Sequence, residues 1–288
     1  MLRVRGLSVG YGAEPVLEGI DLEVRAGEFA SLVGPSGSGK TSILRAVTGL
    51  LLPDAGTIEL DVDLAHVGFL FQDDALLPWR TARENVALGL RIRGVETREA
   101  EAKADEWLAS LGLVGLGGRY PRQLSGGQRK RVAIAQVLAL EPRLLLMDEP
   151  FAALDAIVRT RLTEELLGWV EREHLTVLLV THDLEEAIAA SDTVYVLSQG
   201  PRARVRARHS VAIDRPRSLL ASRAHPEFTR LVGRLWAELA EQADGRDAPE
   251  GRSEPGGVPG ADFPPEVGVP RGALAPPGPV WRGTGRSR

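Results

Sequence analysis

The chain has 288 residues, 43% of them hydrophobic, enough for one large domain or two modest ones around a substantial core. A formal net charge of −4 gives no basic footprint, which argues against a dedicated nucleic-acid binder and leaves any phosphate chemistry to local design. The absence of cysteine excludes disulfides, thiolate metal sites and cysteine nucleophiles.

The first residues, MLRVRGLSVGYG, lack the apolar core of a signal peptide, and the longest apolar runs, such as VLLV and LLLM, are far short of a membrane span. A cytoplasmic chain is expected, with any membrane association made through a partner. From Leu2 to Gly34 the runs LRVRGLSVG, GIDLEV and EFASLVG alternate with turn signals, which predicts a few antiparallel strands leading into a buried one. TSILRAVTGLL then sets Ile43, Leu44, Val47 and Leu50 at helical spacing, and LPDAG is expected to stop that helix.

Residues 81 to about 115 are charged and periodic, which predicts a helical insertion. PRLLLMDEP and LTVLLVTHD read as parallel strands buried on both faces, with their carboxyl ends toward a site. RARVRARH alternates arginine with small apolar residues and reads as an exposed edge strand or, less simply, as a contact with anionic lipid. From Glu241 the chain turns Gly- and Pro-rich and poor in apolar residues, so 241–288 is expected to be a disordered tail.

GPSGSGKT, Gly34 to Thr41, matches the phosphate-loop pattern G-x-x-x-x-G-K-[ST] and lies between a strand-like run and a helix, the context this pattern requires. Backbone amides along Gly34, Pro35, Ser36, Gly37, Ser38 and Gly39 are expected to close around phosphates. Lys40 reaches the β and γ oxygens, and Thr41 offers its hydroxyl to Mg²⁺. Asp148 follows the apolar run of LLLMDEP, at a strand end suited to holding Mg²⁺ through water, and Glu149 beside it is placed to orient or activate water at the γ-phosphate.

His182 ends another buried strand at an equivalent position, while Asp183 with Glu186 reads as a capping box opening the next helix. Gln72, after the run GFLF, is a candidate to reach the metal or its water. Tyr11, in GYG, either stacks on a purine or packs as an ordinary aromatic. LSGGQ, Leu124 to Gln128, is a second helix entrance suited to an anion, which raises the question of why one chain carries two.

In order and spacing, GPSGSGKT, Gln72, LSGGQ, LLLMDEP, AALD and THD resemble an ATP-binding-cassette ATPase over residues 2–230. The resemblance implies an α/β P-loop NTPase fold with an antiparallel β subdomain, a mixed or parallel core sheet and a helical subdomain inserted at approximately 81–140. The ATPase domain would run over 1–230, with a C-terminal helix end at 231–240. ATP and Mg²⁺ are implied as cofactors. By position, Tyr11 stacks on adenine, Gly34 to Thr41 hold the phosphates, Thr41, Gln72 and Asp148 serve the metal, Glu149 is the catalytic carboxylate, Gln72 the sensor and His182 the switch. Two cassettes would pack head to tail as a homodimer, so that Ser125, Gly126, Gly127 and Gln128, with Asp155 of AALD at the interface, serve the partner's ATP.

A single cassette without membrane spans resembles the energy subunit of a bacterial importer. That would place it at the cytoplasmic face of the membrane on permease subunits, with a periplasmic or lipid-anchored solute-binding protein reached through them. LLPW, FAALDAIVR and RPRSLL with HPEF resemble the nitrate, sulfonate, taurine and bicarbonate importer branch. Leu76, Leu77 and Trp79 either line a groove for a permease helix or pack inside the helical insertion. A soluble non-transport ATPase acting on a protein or nucleic-acid partner is the other reading these motifs allow. Two departures from the family pattern stand out. The span from Gly56 to Gln72 is short, as if a strand or loop were trimmed, and Gln136 stands in AIAQVL where an arginine is usual.

Overall fold

A computed structural model describes residues 1–12, 14–243 and 280–282. Strands β1 (Leu2–Tyr11) and β2 (Glu14–Val24) form an antiparallel pair, and β4 (Ala55–Leu60) joins the other side of β1. In β1 the buried residues are Leu2 and Val4, then Leu7 and Val9, so the alternation slips by one residue between the pairs. A register shift falls between Val4 and Leu7, where Gly6 has φ 58°, and this bulge keeps all four side chains on one face.

The second sheet runs β5-β6-β7-β3-β8-β9, comprising β3 (Phe29–Val33), β5 (Val67–Leu70), β6 (Leu144–Asp148), β7 (Thr176–Val180), β8 (Thr193–Leu197) and β9 (Val205–Ser210). All neighbours are parallel except β8 and β9. Every residue of β3, β6, β7 and β8 is buried, as unbroken apolar runs require when both faces of a sheet are covered. β9, the RARVRARH stretch, is the edge strand and alternates half-buried with exposed residues.

Two apolar cores flank this sheet. One packs the antiparallel sheet and helix α1 (Lys40–Val47) on one face, through Leu2, Leu7, Ile20, Ile43 and Leu44 against Leu144, Leu146 and Leu178. The other joins the opposite face to α2 (Ala82–Ile92), α3 (Thr97–Ser110), α4 (Gly126–Leu138), α5 (Ala156–Arg172), α6 (Leu184–Ala190), α7 (Leu219–Ser222) and α8 (Pro226–Ala243). The first three of these, α2 to α4, are inserted between β5 and β6. Among the described residues, no helix is long and apolar enough to cross a membrane.

Several expectations need correction. α1 stops at Val47, before LPDAG: Gly49 adopts φ 74° and the Thr48 hydroxyl donates to the Leu44 carbonyl, so Leu50 leaves the helix and is 68% exposed. The capping box at Asp183 is only half made. Asp183 accepts from the Glu186 N–H, but the Glu186 side chain turns inward. Leu76, Leu77 and Trp79 part company: Leu76 packs on the core, Leu77 is half-buried and Trp79 is 70% exposed. Buried Asn85 holds this loop by accepting from the Leu77 N–H and donating to the carbonyls of Leu77, Arg80 and Thr81.

The expected tail over 241–288 lies mostly outside the described residues. Of that span, α8 includes residues up to Ala243, and Val280–Arg282 is a strand, β10, paired with β4.

Gly56 packs directly on the bulge, with φ 90°, and a Cβ there would meet the Gly6 carbonyl at 2.5 Å. The obstacle is the Arg5–Gly6 backbone, which cannot give as a flexible side chain would. Gly56→Ala is therefore expected to lower stability by about 2 kcal/mol in urea titration, the ordinary scale of over-packing.

Candidate functional site

β3, β6 and β7 end side by side, so the loops that follow them share one edge of the sheet. After β3, the loop Gly34–Gly39 turns into α1 through Gly37 (φ 79°) and Gly39 (φ 84°). A Cβ on Gly39 would lie 2.7 Å from Leu17 Cδ2 and 2.8 Å from Val16 Cγ1, so only glycine fits both this conformation and the close approach of β2. The loop opens on a cavity of about 390 Å³ lined by Tyr11, Ser36, Lys40, Thr41 and Glu149 among others.

Polar groups in this cavity turn inward. Lys40 Nζ donates to the carbonyls of Gly34 and Pro35, both at 2.9 Å, folding back over its own loop. Burial pushes the Lys40 ammonium below its usual range, against the opposing pull of Glu149 and Asp148. Thr41 Oγ1 donates to Asp148 Oδ1 at 3.0 Å. Burial raises the Asp148 carboxyl above its ordinary range, the Thr41 bond opposing and the charge of Glu149 adding to it. Ser38 Oγ is buried without a partner. Tyr11, half-exposed at the end of β1, has its hydroxyl 3.2 Å from Ser42 Oγ.

Glu149 takes φ 44°, a left-handed conformation costly for a side chain with a Cβ. Its N–H donates to the Val180 carbonyl, which holds the turn and sends the carboxylate toward the end of β7. There Glu149 Oε2 lies 3.0 Å from His182 Nδ1. His182 is more than half exposed, so this pair faces the opening and not the core.

Gln72 stands apart from this cluster. Its side chain is exposed, and its carbonyl accepts from Lys130 Nζ at 2.9 Å. Lys130, 3% exposed on α4, also pairs with Asp74 at 3.1 Å, and Arg129 pairs with the same carboxylate. The Gln72 segment is thus tied to α4. Sequence reasoning missed Lys130 and Asp74, whose only signal was a lysine on the apolar side of an otherwise polar helix start.

LSGGQ lies outside the cavity of its own chain's phosphate loop. Ser125 caps α4 by accepting from the Gln128 N–H, while Gln128 Oε1 accepts from the Ser125 N–H. Gly126 and Gly127 open the helix, with Gly127 close to Val158 of α5. Asp155 is exposed and caps α5 by accepting from the Val158 N–H at 3.0 Å. Ser125, Gly126, Gly127, Gln128 and Asp155 form a second polar surface, distinct from the one around Lys40.

Comparison with known proteins follows the same lines. The ABC transporter family profile matches residues 17–152. The aliphatic sulfonates import ATP-binding protein SsuB of Corynebacterium glutamicum is 42% identical over 242 residues, covering 83% of this chain and 95% of that protein. The sulfate/thiosulfate import ATP-binding protein CysA of Thermosynechococcus vestitus is 43% identical over 211 residues, 69% of this chain and 62% of that one. A solved dimeric ATP-binding cassette in a post-hydrolysis state, bound to ADP and Pi, superposes with TM-score 0.65 at 31% identity, over 74% of this chain and 100% of that one.

Glu186, also unforeseen as a buried group, accepts from Thr181 Oγ1 at 2.7 Å, and burial raises its carboxyl above the usual range. The folded chain therefore holds this proton more tightly than the unfolded chain. The stability it contributes is full below the unfolded pKa of roughly 4.3 and is lost as pH rises through the folded value. Glu186→Gln should abolish this loss, so urea titrations at pH 5 and pH 7.5 should show the wild type falling relative to the variant at the higher pH.

Proposed function

Given that the chain belongs to the ABC transporter family of ATP-binding proteins, we propose that it is the ATP-hydrolysing subunit of an importer. It works as a homodimer on membrane-spanning permease subunits at the cytoplasmic face, with an external solute-binding protein completing the assembly. The observation that carries this reading is the separation of two half-sites on one chain. Lys40, Thr41 and Glu149 line one cavity, Asp148 and His182 are hydrogen-bonded to Thr41 and Glu149, and no residue of LSGGQ lines that cavity.

In the closed dimer, ATP sits between one chain's phosphate loop and the other's LSGGQ. Tyr11 stacks on the base. Lys40 exchanges the Gly34 and Pro35 carbonyls for phosphate oxygens, and the orphaned Ser38 hydroxyl lies in the same loop. Glu149 accepts the proton of the attacking water, and His182 holds the carboxylate that does so. Gln72 reaches the site when its segment moves with α4, to which Lys130 ties it.

The Thr41 hydroxyl and Asp148 carboxylate form an oxygen donor pair of the kind Mg²⁺ prefers, beside a buried acid that gains from a cation. Among the described residues no cluster of three or more histidine or acidic side chains could hold a metal, so Thr41 and Asp148 would hold Mg²⁺ only together with phosphate or water. A Mg²⁺ held there would supply neutralisation of phosphate charge.

The relatives point to a small sulfur oxyanion or sulfonate as the solute, within the nitrate, sulfonate, taurine and bicarbonate branch that the sequence resembles. Co-purification tests the importer reading: the chain should be recovered from membranes with a permease, and recovery with ribosomes, DNA or a cytosolic scaffold would contradict it. Glu149→Gln should bind ATP, accumulate as a dimer and hydrolyse at least about 100-fold more slowly, as loss of a general base predicts. Hydrolysis at the normal rate would remove Glu149 from its role.

A further inference from the structure

Within residues 1–243, β4 is an edge strand. β1 pairs with one side of it, and the connection to β5 contains only the short 3₁₀ turn Leu64–His66. Such an edge presents unpaired N–H and C=O groups that accept a further strand. The strand that fills it is β10, antiparallel, with Val280 opposite Glu59, Trp281 opposite Ile58 and Arg282 opposite Thr57.

In sequence, Val280, Trp281 and Arg282 are a β-forming island with Pro276, Pro277 and Pro279 before it and Gly283 and Gly285 after it. A strand of three residues is too short to stay docked as a free peptide at micromolar concentration. A covalent link through residues 244–279 changes this, because tethering raises the local concentration of the segment to about the millimolar range.

We infer that the β4 edge is a strand-docking site for one occupant, the chain's own C-terminal segment, which completes the antiparallel sheet by β-strand addition. Two consequences follow. The docked residues lie opposite Thr57–Glu59, which pair with Arg3–Arg5 of β1, so docking adds a fourth strand at the end of the sheet away from Tyr11. Covering β4 also denies other copies an edge to pair with, which would be a route to association independent of nucleotide.

Amide hydrogen exchange over residues 55–60 tests this in three proteins: the full chain, a chain ending at Ala243, and full-length Trp281→Pro. Exchange should be at least tenfold faster in the latter two, and a synthetic peptide of residues 277–286 at millimolar concentration should restore protection in the shortened chain. If the shortened chain does not fold, Trp281→Pro carries the comparison. Equal exchange in the full chain and Trp281→Pro would overturn the inference. Protection in the full chain that rises with protein concentration would also overturn it, by assigning the edge to β10 of a second copy.

Discussion

The site depends on one hydrogen bond, from Thr41 Oγ1 to Asp148 Oδ1. It joins the start of α1 to the end of β6, two strands away from the loop that leads into α1. Without this tie the phosphate loop and the acidic strand end would be independent neighbours. With it, the loop, the buried carboxylate and Glu149 are held as one unit by strands that have no freedom to slip, because every residue of β3, β6 and β7 is packed on both faces. The strain at Glu149 is tolerated for the same reason. A left-handed residue survives where its N–H is claimed by the next strand and its carboxylate by a histidine.

A second constraint acts at a distance. Lys130 is buried at the start of α4 and gathers the Gln72 carbonyl and Asp74 around one ammonium. Removing that charge's partners would leave a buried cation uncompensated, which holds the Gln72 segment against the LSGGQ helix. A single side chain thereby ties the segment after β5, which carries Gln72, to the helix that LSGGQ opens.

What could be read from sequence was local. Gly34 to Thr41, Asp148, Glu149 and His182 each announce themselves by residue type next to an apolar run, and the fold brings them together because parallel strands end on one edge. Leu50 was misjudged because its spacing matched the helix while Gly49, two residues beyond Val47, had already ended it. Glu186 was misjudged because a capping box and a buried acid have the same sequence pattern, and only the packing of Thr163 and Thr181 decides between them. Lys130 with Asp74, and β10 on β4, are contacts between residues far apart in the chain, for which periodicity carries no signal.

The central claim is that LSGGQ completes the site of another copy and not its own. Mixing two inactive variants tests it directly. Lys40→Ala keeps a working LSGGQ beside a disabled phosphate loop, and Gly126→Asp keeps a working loop beside a disabled helix entrance. If the site is shared across the dimer, the mixed dimer contains one intact composite site, and ATP turnover absent from either variant alone should reappear on mixing. If each chain used its own LSGGQ, no combination would contain an intact site, and a mixture as inactive as its components would contradict the account.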